Sequence, residues 1–472
     1  MPREECFPLL AATDLESEFA RGPQSMRSRR DYLRDVWWLA DLLPPSRCVL
    51  NFCHDRYRFL VGVGASLATN RVCLLPSTRT PDVLRQIRQN YPSTFCLHDG
   101  DGFGPLCMDA DFLGGSAMEL FAYPLDRPPT ATGVPQMPQI RADQIAAYVF
   151  TSGTTGTPLP HAKTWGSLVA SARAEACALA IEAQPWALVG TVPSQHMYGF
   201  ESLILLTLQG KATLWRGHPF YPADIDVAVE SMLRPRMLVT TPTHLRVLLA
   251  DGAGRAGVDK ILSATALLPA DIARQAEKTL GAPLYEIYGA TETGQIASRC
   301  SLASRHWRLF PGVQIQTRAD GCQVHGGHVL QPTPLTDKIE MVDAEHFDLI
   351  GRSSDMVNIA GKRSSLAFLN HALLSIAGVA DGCMFVPDAP PTADHESAVF
   401  PDSSRLCAIV AAPQLDAARI LRELRKQIDP AFLPRPIIFV TSLPRNATGK
   451  IPRGALLELL GQHQLPARKS LK

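Results

Sequence analysis

A chain of 472 residues is longer than one hydrophobic core usually serves, and 46% hydrophobic with 19% charged residues describes a folded protein of at least two domains, not a disordered one. The 46 basic residues against 45 acidic ones leave a formal net charge of +1, so no global field gathers nucleic acid or an anionic membrane. Binding must come from a local site. The eleven cysteines are odd in number and form no CxxC pair, which points away from a zinc site or a disulfide framework and fits a reducing compartment.

In chain order, the N-terminal MPREECFPLLAATDLESEF carries acids where a secretory signal needs basic residues before an apolar run. No stretch of about 18 apolar residues occurs elsewhere, so the chain reads as soluble and cytoplasmic, without a membrane partner. Residues 30–125 hold an irregular strand–helix alternation, and the Pro-rich PPTATGVPQMPQ (128–139) reads as a connector. The central third is clearer. Strand-like runs at 145–150, 187–192, 236–241, 259–264 and 283–288 alternate with helix-like 164–183, 223–233 and 269–280, which predicts a parallel, helix-covered sheet. Residues 310–350 read as short strands with Gly and Pro turns, a small β subdomain. Beyond Arg352 a compact module follows, with helix-like 364–376 and 415–428 and strand-like 407–412 and 436–441. A domain boundary near Ser353 and Ser354 divides the chain into 1–352 and 353–472.

Four segments carry chemistry. In YVFTSGTTGTP (148–158) an apolar strand runs into small hydroxyl residues and glycines. Glycine lets backbone NH groups approach an anion, and the hydroxyls of Thr151, Ser152, Thr154 and Thr155 add donors for phosphate oxygens. No Lys follows Gly156 directly, so this is not the GxxxxGK[ST] loop, and by itself it also suits an ordinary surface turn. In EIYGATETG (286–294) a strand end precedes Gly289, Thr291 and Glu292, a hydroxyl beside a carboxylate that suits a nucleotide phosphate with its magnesium; a helix N-cap is the plainer reading. FDLIGRSSDMVNIAGKR (347–363) places Arg352 and Asp355 after a strand and Lys362 in a turn. LPRNATGKIPRGAL (443–456) offers Lys450 on a loop.

In this order and spacing the four segments resemble the acyl-adenylating superfamily of acyl-CoA synthetases, aryl-CoA ligases, peptide-synthetase adenylation domains and luciferases, from about residue 48 to 456. The resemblance implies an α/β fold: a large N-terminal domain with helix-covered parallel sheets and a small β subdomain, and a smaller mobile α+β C-terminal domain carrying the catalytic lysine. It implies an enzyme using ATP and Mg²⁺ to form an acyl-adenylate from a small carboxylic acid, then passing the acyl group to a thiol. By the same resemblance Thr151, Ser152, Gly153, Thr154, Thr155 and Gly156 hold the ATP phosphates, Thr291 contacts the α-phosphate and Glu292 ligates Mg²⁺. Tyr288 and Gly289, with Ala264 and its neighbours from Ser263 to Ala266, border the adenine. Asp337, preceded by Thr336 in place of the usual Gly, and Arg352 bind the ribose. Lys450 bridges the substrate carboxylate and the α-phosphate, and His196 lines the acyl pocket; a structural histidine is the plainer reading there. Phe200, Thr241, His244 and Ser263 are further pocket candidates.

Two departures stand out. Where many relatives have a lysine directly after the loop proline, Leu159-Pro160-His161 intervenes and the first lysine is Lys163, either reaching the phosphates from a shifted position or leaving that role empty. The hinge aspartate aligns with Ser354, Asp355 following. TSGTTGTPLPHAKTWGSL and the short chain look most like the ligases of aryl polyene and xanthomonadin-type pigment clusters, which load hydroxybenzoate-like acids onto an acyl carrier protein. Arg422, Arg425, Lys426, Arg435, Arg445 and Arg453 are candidate contacts for such an acidic partner. An aryl- or acyl-CoA ligase using free CoA is the alternative acceptor reading. A catalytically silent nucleotide-binding regulator is the alternative class, against which Glu292, Asp337, Arg352 and Lys450 together argue.

Overall fold

The computed structural model describes residues 5–76, 81–100, 118–124, 134–152, 158–252, 256–266, 268–318, 321–352, 356–359, 362–387, 406–446 and 449–464. The larger of its two main sheets has eleven strands. Its centre is parallel, in the spatial order Leu284–Ala290, Lys260–Ser263, Arg236–Thr240, Ala187–Gly190, Thr213–Trp215 and Glu18–Arg21. The inner strands Lys260–Ser263, Arg236–Thr240 and Ala187–Gly190 read as largely apolar runs because both faces are covered. Leu188, Met237 and Leu262 pack into one core, while their neighbours Val189, Leu238 and Ile261 pack into another against helices Pro222–Glu230, Pro242–Ala250 and Ala270–Leu280.

The strand Ile145–Ser152 does not join this sheet, although the simple alternation groups it there. It lies in a six-stranded sheet, parallel to Val72–Leu75 and antiparallel to Pro158–Thr164, with Cys48–Asn51, Thr94–His98 and Glu119–Ala122 beyond. The irregular N-terminal alternation thus supplies the parallel partners of Ile145–Ser152. Both sheets share one hydrophobic core, in which Val49, Leu75, Phe95 and Ala147 meet Leu188, Met237 and Ile287.

The segment 310–350 also divides. Val313–Arg318, Gly321–Gly326 and Val329–Leu335 form a separate three-stranded antiparallel sheet, whereas Asp337–Met341 and His346–Arg352 extend the antiparallel edge of the large one. The C-terminal segment folds around its own three-stranded sheet, Asp381–Phe385, Cys407–Ala411 and Ile437–Phe439, with helices Leu366–Leu374, Ala417–Leu424 and Arg453–Gln464. Its two apolar clusters draw only on residues from Val357 onward. Ser353, Ser354 and Asp355, the expected hinge, lie outside the described residues. No helix among the described residues is long and apolar enough to cross a membrane.

Candidate active site

Strands Leu284–Ala290 and Gly294–Cys300 form a hairpin whose turn is Thr291–Thr293. Gly289 is required by packing: a Cβ there would lie 2.3 Å from the Gly294 carbonyl oxygen. Gly294 takes φ +78°, so the hairpin closes tightly and presents Thr291 partly exposed and the Glu292 carboxylate 40% exposed. Thr293 turns inward, its hydroxyl accepting from the Ala290 amide at 3.2 Å and donating to the Gly294 carbonyl at 2.8 Å.

The phosphate-loop segment joins two antiparallel strands. Thr151 and Ser152 end one strand opposite Leu159 and Pro158 of the next; Gly153, Thr154, Thr155 and Gly156 lie outside the described residues. The returning strand runs directly against the Glu292 turn. His161 Nε2 is 3.9 Å from Glu292 Oε1, and Lys163 Nζ donates to the Glu292 carbonyl oxygen at 2.7 Å. Lys163 is only 7% exposed. In this arrangement the ammonium is tied to the backbone of the turn, which agrees with the reading that leaves the loop-lysine role empty. Burial lowers the pKa of Lys163, while Glu201 and Glu292 nearby raise it.

Behind the turn, Tyr288 is buried and donates its hydroxyl to Asp337 Oδ2 at 2.7 Å. Its ring packs on Phe347 and Trp307, with centroids 5.5 and 5.7 Å away. Cross-strand register sets Asp337 opposite Arg352, so the two expected ribose residues are immediate backbone neighbours. At the end of strand Lys260–Ser263, Ala264 is buried and Thr265 has φ +81°, a conformation costly for a β-branched residue. The Ser263 hydroxyl is buried there without a hydrogen-bond partner among the described residues.

The third component is the C-terminal loop. Asn446 shapes it, its Oδ1 accepting from the Lys450 amide at 2.9 Å and its own amide donating to the Lys450 carbonyl at 2.8 Å. Gly449 takes φ +79° and lies against helix Pro242–Ala250; a Cβ there would stand 2.8 Å from Thr243 Oγ1. Thr241 caps that helix and holds His244 Nδ1 at 2.8 Å. Burial, then the charge of Lys450, pushes the His196 pKa down to about 4, so this imidazole is neutral at pH 7. Lys450 and His196, far apart in sequence, therefore face one another's electrostatic field. Phe200, Thr241 and Ser263, three of the further pocket candidates, are all buried.

Several contacts are announced by no motif. Arg445 holds Asp381 through two bonds of 2.7 and 2.6 Å and donates to the Gly449 carbonyl, while Arg246 of helix Pro242–Ala250 lies 3.8 Å from the same Asp381 carboxylate. Arg445 is thus engaged inside the protein and is not a free docking cation. Arg453 donates to the Val386 carbonyl at 3.0 Å and Lys426 pairs with Glu423 at 2.8 Å. Glu175 and Glu201, each buried in an otherwise apolar stretch, could have been noticed as charges that need partners.

The fold is that of ATP-bound MatB from Rhodopseudomonas palustris, matched at TM-score 0.76 and 19% identity over 95% of this chain and 96% of that one. It is equally that of o-succinylbenzoate coenzyme A synthetase from Bacillus subtilis in complex with ATP and magnesium ion, at TM-score 0.76 and 16% identity over 95% and 99%. In sequence the chain is 28% identical over 308 residues to 4-coumarate–CoA ligase of Halorhodospira halophila, covering 64% of this chain and 73% of that protein. It is 24% identical over 387 residues to 3-hydroxybenzoate–CoA/4-hydroxybenzoate–CoA ligase of Thauera aromatica, covering 68% of each.

The family model and the sequence relatives define an enzyme that adenylates acids with ATP. The chain belongs to the AMP-binding enzyme family, whose model matches residues 107–345, and is an AMP-forming acid–thiol ligase.

Proposed function

We propose that the enzyme activates an aromatic carboxylic acid such as a hydroxybenzoate and transfers it to the phosphopantetheine thiol of an acyl carrier protein. The observation that supports this reading is the packing of the strand Pro158–Thr164, which follows the phosphate-loop segment, against the Glu292 turn, with Lys450 acting electrostatically on His196. In this reading the substrate carboxylate attacks the α-phosphorus of ATP in line, the bond to the bridging oxygen breaks, and pyrophosphate leaves. The thiolate then attacks the acyl carbonyl carbon and AMP departs. Both anions must be brought together, so positioned charge and hydrogen-bond donors supply most of the catalysis.

Lys450 would lie between the carboxylate and the α-phosphate, with neutral His196 at the acyl side. Thr151 to Gly156 and Thr291 would bind phosphate oxygens; Asp337 and Arg352 would hold the ribose, and Tyr288, Gly289 and Ala264 would border the adenine. Glu292 fits a magnesium ligand: it is a single accessible carboxylate, and among the described residues no three His, Cys, Asp or Glu side chains converge. A hard cation that favours one or two carboxylates plus substrate phosphates suits such a donor set. Bound there, magnesium would neutralise phosphate charge as pyrophosphate leaves. The segment from residue 353 onward is read as a mobile domain that delivers Lys450.

The aromatic acid is supported by relatives that are ligases of 4-coumarate and of hydroxybenzoates. Pyrophosphate release across aromatic and aliphatic acids tests it; equal turnover of aliphatic acids would remove the aromatic assignment. The carrier acceptor rests on the resemblance of the 151–168 segment to pigment-cluster ligases, and exposed Arg422, Arg425 and Arg435 remain surface cations suited to an acidic partner. Free CoA is the second reading, favoured by relatives that are CoA ligases. With one acid at one enzyme concentration, transfer to holo carrier protein is expected to outpace transfer to CoA; markedly faster transfer to CoA makes the enzyme a CoA ligase.

Arg445 is read as the residue that positions the Lys450 loop, through Asp381 on one side and the Gly449 carbonyl on the other. Arg445→Met is expected to lower pyrophosphate exchange about tenfold or more, since small misplacements of catalytic groups have large effects on rate. The KM for ATP should change little, and Arg445→Lys should recover part of the rate. Unchanged exchange in Arg445→Met means that the loop holds its place without this arginine.

A further inference from the structure

Three buried charged side chains, Lys163, Glu175 and Glu201, lie close to the Glu292 turn. Helix Trp165–Ala178 contributes Ser171 and Glu175, and the π-helical segment Phe200–Leu205 contributes Glu201 and Ser202, all at most 2% exposed. Ser171 donates to Glu201 Oε1 at 2.9 Å, Ser202 donates to Glu175 Oε1 at 2.6 Å, and Gln295 Nε2 donates to Ser202 at 2.7 Å. The Gln295 amide points at Glu201 Oε1 across 3.3 Å. A Cβ on Gly294 would lie 2.7 Å from that same oxygen, so the left-handed glycine of the hairpin is what admits the carboxylate.

Lys163 enters from the opposite side. The charges of Lys163 and Glu201 act on each other, and the lysine's hydrogen bond is to the Glu292 carbonyl. Lys163, Ser171, Glu201, Thr293, Gly294 and His328 line a cavity about the size of one water molecule. His328 is 6% exposed, and apart from the Gln295 backbone, which raises its pKa, its ring nitrogens meet no protein partner among the described residues. A polar pocket of this kind suits a water bridging the imidazole to the pair.

Apolar side chains would fill this core at lower desolvation cost, so the charges call for a reason other than bulk stability. Both sides of the network end on the backbone of residues 292–295: Lys163 on one carbonyl, Glu201 against the amide three residues later. π-helical turns interrupt regular helices mostly where function needs a side chain re-aimed, and here the segment aims Glu201 and Ser202 at the hairpin. We infer that Lys163 and Glu201, which line one small cavity and reach the backbone of residues 292 and 295, together fix the Thr291–Glu292 turn in its working geometry. Both are positioning residues. The inference rests on the reading that this turn meets the ATP phosphates and their metal.

The test compares Lys163→Met, Glu201→Gln and the double variant with Thr291→Ala and Glu292→Gln. Thermal unfolding is measured beside ATP–pyrophosphate exchange, titrated with acid, ATP and Mg²⁺. Each single pair variant leaves one buried charge or dipole without its partner and should melt lower; the double variant removes both and should recover much of the melting temperature. Its kcat for exchange should nevertheless stay about tenfold or more below wild type, with KM for the acid nearly unchanged, because the turn is no longer held. A double variant that regains both melting temperature and exchange rate overturns the inference and leaves the pair a structural device. If Thr291→Ala and Glu292→Gln also exchange at the wild-type rate, the reading of the turn itself fails.

Discussion

Lys450→Ala is expected to reduce acid-dependent ATP–pyrophosphate exchange by about 10²–10³, the usual cost of removing one positioned charge-stabilising group. Lys450 is exposed on the loop that follows Asn446, and its side chain contributes to none of the apolar clusters, so folding should be unaffected. The loop's own hydrogen bonds run through the Lys450 backbone and survive the substitution. ATP affinity should change far less than rate if the lysine acts mainly where charge develops in the transition state. The readouts are exchange, ATP binding and thermal unfolding on one preparation. Wild-type-like exchange would remove Lys450 from the adenylation step. A second signature follows from the field of this ammonium at His196: in Lys450→Ala one of the two causes lowering that imidazole's pKa is gone, so it should titrate higher than about 4.

How much of this architecture the chain discloses depends on whether local pattern or distant partners decide each element. The strand–helix alternation from 187 to 290 was legible because parallel strands covered on both faces are continuous apolar runs, and Val189, Leu238 and Ile261 are buried alongside Leu188, Met237 and Leu262. The assignment of Ile145–Ser152 to a separate sheet was not, since its parallel partner Val72–Leu75 lies some seventy residues away and no period records that pairing. Asp337–Met341 likewise looks like the turn-rich strands before it; only its register with His346–Arg352 carries it onto the large sheet.

At the site, residue types were more legible than their partners. Glycines and hydroxyls announce a phosphate loop, and a Thr-Glu turn after a strand announces a metal-compatible carboxylate. Lys163 was visible only as a lysine out of its usual place, because its destination, a carbonyl 129 positions along the chain, is set by how two hairpins pack. The Arg445–Asp381 pair was hidden for the same reason, being 64 positions apart. Surface reasoning read Arg445 as available to a partner, and packing had already engaged it.

Glu292→Gln separates the charge of the turn from its shape. The side chain is 40% exposed and the bond that holds the turn is made by the Glu292 main-chain carbonyl to Lys163, so an isosteric amide leaves both in place. What disappears is one negative charge 3.9 Å from His161 Nε2, an imidazole whose pKa burial holds below its ordinary value. At pH 7 that histidine is neutral and offers no fixed countercharge, so the carboxylate remains available to a cation. Losing even an outer-shell partner costs about 10–100-fold in metal affinity, and a direct anionic ligand should cost at least as much. The expected result is therefore exchange at low Mg²⁺ reduced by about 10²-fold, recovered in part at high Mg²⁺, with an unchanged melting temperature. Recovery by Mg²⁺ is the specific signature, because a turn that had merely moved would stay slow at any metal concentration. A magnesium dependence identical to wild type would mean that another carboxylate holds the metal, and the phosphate-loop segment would then have to meet its substrate without help from this turn.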